Sequence, residues 1–141
     1  MNPKPVSAPV PAELTRTLRL EGLALLLGTL LAYQALGGNW WLFALLILAP
    51  DLSFLAAASG DMKLATRAYN LAHTTVVPIA LGLLAWLTGM TVALPYLVIW
   101  LAHIGADRAL GYGLKFPGDL HMTHLGPSGL GKKAARRADP R

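Results

Sequence analysis

GLALLLGTLLAYQALGGNWWLFALLILAP, residues 22–50, contains no Asp, Glu, Lys or Arg. A second stretch, residues 68–106, reads AYNLAHTTVVPIALGLLAWLTGMTVALPYLVIWLAHIGA and is equally free of them. Each is too long for one core helix and suits two membrane spans, because a span needs about 20 apolar residues. The whole chain of 141 residues is 55% hydrophobic and 13% charged. A soluble domain carries about a quarter charged residues. Lipid, not a large soluble core, is the solvent this composition implies.

Turn chemistry divides the two stretches. Gly37-Gly38-Asn39 is a tight turn between span one, Leu20–Leu36, and span two, Trp40–Ala58. Trp40-Trp41 marks a headgroup boundary, where tryptophan concentrates. Ser59–Arg67 is a polar link. Thr88–Thr91 separates span three, Ala68–Leu87, from span four, Val92–Leu110. The expected fold is therefore all-α, a four-transmembrane-helix bundle over residues 20–110. Residues 1–19 read as a disordered or interfacial arm, with Pro3, Pro5, Pro9 and Pro11 near its start and a helix beginning at the interface from Thr15. Residues 111–131 form a Gly/Pro-punctuated segment that folds back at the cytoplasmic side. Residues 132–141 form a basic disordered tail.

Lysine and arginine set the orientation. Of the 12, Lys4, Arg16 and Arg19 precede span one, and Lys63 and Arg67 lie between spans two and three. Arg108, Lys115, Lys132, Lys133, Arg136, Arg137 and Arg141 lie at or beyond the end of span four. Positive residues stay cytoplasmic, so both termini are expected inside. The first apolar run has no small-residue cleavage site and reads as a retained span. The basic tail has no aromatic to stack on bases, which argues against nucleic acid. Anionic lipid headgroups are its expected partner.

The topology places the ionisable residues of the spans toward one side. Asp51, His73, His103 and Asp107 all fall in the cytoplasmic half, and His103 and Asp107 share a helix face. An intramembrane ionisable residue marks a functional site by default. There is no cysteine, which excludes disulfides, thiolate ligands and a Cys nucleophile. Pro50, Pro78 and Pro95 interrupt the spans, and each frees a carbonyl one turn upstream. His121 and His124 follow span four and could be delivered to the same place.

Three readings compete. In the first, His73, His103 and His124 hold zinc or another divalent metal, and Asp51 or Asp107 acts as catalytic base on a metal-activated water. In the second, the same groups relay protons or bind a transported solute. Four short spans enclose little volume, so a transporter would have to form a homo-oligomer. In the third, the polar groups hold helices together in a scaffold without catalysis. Gly22, Gly28, Gly82 and Gly89 form no GxxxG motif, so ordinary packing suffices for them.

Asp51-Leu52-Ser53-Phe54, Tyr69-Asn70-Leu71-Ala72-His73, His103-Ile104-Gly105-Ala106-Asp107-Arg108, Gly111-Tyr112-Gly113-Leu114-Lys115 and Thr123-His124-Leu125-Gly126 occur in this order. The set resembles the small bacterial membrane proteins classed as domain of unknown function 4260. The likeness covers about Leu20 to Gly126, and its joined His103–Lys115 stretch is specific. It implies a compact integral membrane protein of the bacterial inner membrane. It singles out Asp51, Asn70, His73, His103, Asp107, Arg108, Tyr112, Lys115 and His124, with Asn70, Arg108, Tyr112 and Lys115 as polar support. It implies no activity. The working expectation is a metal-dependent hydrolase acting on a lipid or membrane-proximal substrate.

Overall fold

The computed structural model describes residues 10–128. It is mostly helical, with one small sheet. Helix α1 spans Ala12–Ala35, α2 Trp40–Leu46, α3 Met62–His73, α4 Val76–Leu87 and α5 Leu94–Leu110. Two 3₁₀ segments, Ala49–Ser59 and Thr91–Ala93, continue α2 and precede α5. Strands β1 (Lys115–Phe116), β2 (Asp119–Thr123) and β3 (Gly126–Pro127) form an antiparallel sheet in chain order.

Helix α5 is the centre, and α1, α2 and α4 pack on it. The α1–α5 contact is close because each helix places a glycine at the crossing. A Cβ on Gly105 would lie 2.7 Å from the Leu26 backbone nitrogen, and one on Gly22 would lie 2.3 Å from Arg108 Cβ. Arg19 Nε donates to Ala109 O at 2.8 Å and ties the same pair together. The expected arm over residues 1–19 therefore becomes helix from Ala12 onward, since α1 has a partner to extend along. Residues 1–9, and the tail expected over residues 132–141, lie outside the described residues.

The turns fold as their residues dictate. Asn39 Oδ1 accepts the Trp41 and Leu42 N–H groups and caps α2. Asp61 caps α3 in the same way through Lys63 and Leu64. The segment expected as span three is not straight. Pro78 cannot donate to Thr74 O and clashes with it, so the helix breaks there, and α3 and α4 meet at 46°. The segment expected as span two changes pitch at Pro50, giving eleven residues of 3₁₀ helix with Asp51 in its first turn.

One expectation needs correction. The fold is not all-α: the fold-back segment is a sheet, because Phe116-Pro117-Gly118-Asp119 makes a hairpin turn. Proline pre-sets its own φ, and Gly118 takes φ +81°, the conformation a type II turn requires. Among the described residues one helix, Trp40–Ser59, is long and apolar enough to cross a membrane, and the bent α3–α4 pair makes a second if it is one broken span.

Candidate metal centre

Asp51, His73, His103 and Asp107 converge. One ligand atom from each lies within 4.8 Å of the others. His73 Nε2 is 3.3 Å from Asp51 Oδ1 and 3.5 Å from Asp107 Oδ2. His103 Nε2 is 3.5 Å from Asp51 Oδ1 and 3.7 Å from Asp107 Oδ2. The two Nε2 atoms are 3.1 Å apart. A tetrahedral ion with bonds near 2.0–2.1 Å has ligand–ligand edges of about 3.3 Å. These separations surround that value, and all point to one small volume.

Local structure produces this geometry. The break at Thr74 leaves the last carbonyls of α3 without helical donors, and α5 supplies replacements. Trp100 Nε1 donates to Ala72 O, and Arg108 Nη2 donates to His73 O at 2.9 Å. The end of α3 is thereby fixed against the face of α5 that carries His103 and Asp107. The His73 ring is held on both sides. Its Nδ1–H donates to Tyr69 O at 2.8 Å, one turn back on α3. The Tyr69 ring stacks on it at 3.8 Å between centroids and 12° between planes. With the Nδ1 proton committed, Nε2 of neutral His73 presents a lone pair. Facing a second imidazole nitrogen at 3.1 Å, that lone pair requires a proton or a cation between the two.

Exposure separates the carboxylates. The Asp51 side chain is 40% exposed and that of Asp107 17%. The Tyr69 hydroxyl donates to Asp107 Oδ2 at 3.4 Å, so Asp107 is oriented from outside the group as a ligand is. Asp51 faces a cavity of about 560 Å³ that also touches Asp107, Tyr69, Lys115, His121 and Ser128. An apolar cavity of about 360 Å³ is lined by Pro50, Ala72, Ile99 and Trp100.

The remaining expected site residues lie around the group in different ways. Asn70 Nδ2 donates to Lys115 O at 2.8 Å and Oδ1 accepts from Lys115 N at 2.7 Å, which pins β1 to α3. Thr66 Oγ1 accepts from Gly118 N and fixes the hairpin turn. Arg108 Nη1 donates to Tyr112 O, and Tyr112 also lines the larger cavity. Lys115 is buried, and its Nζ donates to Ser128 Oγ at 3.0 Å. Burial pushes its ammonium below the ordinary lysine value, with Asp107 and Asp119 acting in the opposite sense.

His124, expected as the third imidazole ligand, is not brought to the group. Its Nδ1 accepts the Leu114 N–H at 2.9 Å, and Gly113 packs on the ring where any side chain would collide. That packing removes water and lowers its pKa below the ordinary value, and the Arg108 charge adds to the effect. Conversely, Tyr69 was not singled out by sequence, although its spacing of one turn from His73 was visible. His121, which the resemblance does not single out, lines the cavity.

The family model described as Domain of unknown function (DUF4260) matches residues 15–127. The chain belongs to this family. The DUF4260 match runs from the first turns of α1 to β3, so it takes in the whole site and the sheet beneath it. No curated protein and no solved structure matches this DUF4260 chain.

Proposed function

We propose that this protein is a four-span enzyme of the bacterial inner membrane, with zinc or another divalent cation at Asp51, His73, His103 and Asp107. It hydrolyses a lipid or a membrane-proximal substrate. The observation that carries this reading is the pair of imidazole Nε2 atoms 3.1 Å apart, flanked by two carboxylates at tetrahedral-edge distances. A catalytic site keeps three protein ligands and one open position. His73, His103 and the less exposed Asp107 supply the three. Asp51, at the cavity, is left to accept a proton from water. A divalent cation there would activate that water and polarise the bond to be cleaved.

The membrane reading has its own support. No residue of Trp40–Ser59 is buried inside the protein, although its mean hydropathy is 2.0. An apolar surface of this size on a soluble monomer would drive association; in lipid it is solvated. Spans are then α1, α2 with its 3₁₀ continuation, the bent α3–α4 pair and α5. The basic residues put both termini in the cytoplasm.

Chelation and reloading test the enzyme. Protein in lipid nanodiscs should hydrolyse lipid ester substrates, lose that activity with a strong chelator and regain it with zinc or another divalent ion. Asp51→Asn should remain inactive after reloading. A second reading draws on the same Nε2 contact, which a shared proton could also bridge: a proton relay in a transporter. Proton flux into liposomes that is unchanged by chelation would favour it over hydrolysis.

A further inference from the structure

We propose that Lys115 forms an anion subsite beside the His/Asp group, and that the substrate is a phosphate ester. This inference rests on the metal-hydrolase reading and names its substrate class.

Lys115 is 7% exposed, a burial that lysine rarely accepts without a counter-ion. Among the described residues no carboxylate lies within ion-pair distance of its Nζ. Its partners are the neutral Ser128 hydroxyl and the face of the Tyr69 ring, 4.9 Å from Nζ to centroid. A buried cation held by neutral groups is left to be neutralised by something that enters. The cavity that would admit it is the one at Asp51 and Asp107, with His121 on its wall.

Charge counting gives the class. Asp51, Asp107 and Asp119, whose charge also acts on Lys115, contribute three negative charges, and a divalent cation offsets two of them. Lys115 and the nearby Arg108, whose Nη atoms are occupied by the backbone carbonyls of His73 and Tyr112, then leave the site positive. A phosphate ester is anionic and tetrahedral, so it offers one oxygen toward the cation and another toward the ammonium. Hydrolysis would add water across one P–O bond. The water oxygen bonds to phosphorus, Asp51 takes its proton, and the ester oxygen leaves and receives that proton. The products are an alcohol and a phosphate, with no oxidant or reductant.

The phosphate could belong to a lipid headgroup or to a soluble ester, and one experiment separates the two. Inorganic phosphate and phosphatidic acid in phosphatidylcholine nanodiscs are titrated against the full chain, wild type, Lys115→Met, Lys115→Gln and Lys115→Arg. Metal content and thermal unfolding are measured on the same samples. Wild type should bind both probes; Lys115→Met and Lys115→Gln should bind at least about tenfold more weakly with metal content unchanged, and Lys115→Arg should recover most of the affinity. Tighter binding of phosphatidic acid than of inorganic phosphate assigns the lipid; equal binding assigns a soluble ester. Unchanged phosphate affinity in folded, metal-loaded Lys115→Gln overturns the subsite while leaving the metal reading intact. Metal-free wild type with Lys115-dependent phosphate binding supports the subsite and removes the metal reading. Absence of phosphate binding to wild type overturns the subsite outright.

Discussion

His73 meets several constraints at one position. Its Nδ1–H is held by Tyr69 O, its face by the Tyr69 ring, and its Nε2 is aimed at His103 and both carboxylates. Outer-shell partners of this kind are worth about 10–100-fold in metal affinity. Tyr69→Phe keeps the ring and the carbonyl but removes the donor to Asp107. It should therefore weaken metal binding within that range, measured by competition with a chromogenic chelator; an unchanged affinity would show that the hydroxyl orients nothing. His124 provides the pH test. Its folded pKa lies below the ordinary histidine value of about 6.5, so on acidification the unfolded chain takes the proton first. Its contribution to stability is present above that ordinary value and is lost as pH falls through the folded pKa. Thermal unfolding in detergent should show wild type losing stability from pH 8 to pH 5 more steeply than His124→Gln. Parallel curves would mean that the Leu114 bond does not depend on the neutral ring. At this scale sequence reasoning found four acids and imidazoles because ionisable residues stand out in apolar spans. It misplaced His124 because a ring nitrogen can as readily serve a backbone N–H as a metal, and spacing alone does not separate those uses.

Helices and the sheet place these residues through a few small ones. Gly105 on α5 faces the Leu26 backbone on α1, whereas a Cβ on Gly28 would meet nothing within 4 Å. Gly105→Ala should therefore cost about 1–3 kcal/mol, as overpacking does. Gly28→Ala should gain up to about 1 kcal/mol from helix propensity. Unfolding of the two variants in the same detergent gives the comparison; equal shifts would contradict the close α1–α5 crossing. The absence of GxxxG had made Gly22 and Gly28 look ordinary, and Gly105 was not weighed. The contact uses one glycine from each of two helices distant in sequence, which no motif within a single helix reveals. The prolines were more legible. Pro78 breaks span three where a missing donor requires, and Pro50 precedes a 3₁₀ run that starts with Asp51. The sheet was not anticipated, although Phe116-Pro117-Gly118-Asp119 is a turn signal. The flanking strands, of two and five residues, are too short to show alternation.

For the molecule as a whole, the sequence was most informative about distribution: where charge is absent, and on which segments it returns. Reporters inserted at Gly38 and fused after Arg141 should report opposite sides of the membrane; agreement between them would overturn the four-span topology. The helix of Trp40–Ser59, apolar and with no buried residue, is the part of that topology most directly supported by the fold. What distribution could not supply was the meeting of α3, α5 and the 3₁₀ segment at one point, because that depends on how the freed carbonyls of α3 are satisfied by Trp100 and Arg108. The central claim is that this meeting point holds a divalent metal. Its most direct test is elemental analysis of the detergent-purified full chain alongside His73→Ala, His103→Ala and His124→Ala. The arrangement predicts about one divalent metal ion per chain in wild type and in His124→Ala, and its loss in both other variants, as expected for a site with two imidazole ligands. A wild-type protein without stoichiometric metal, or His73→Ala and His103→Ala proteins that retain it, would contradict the account.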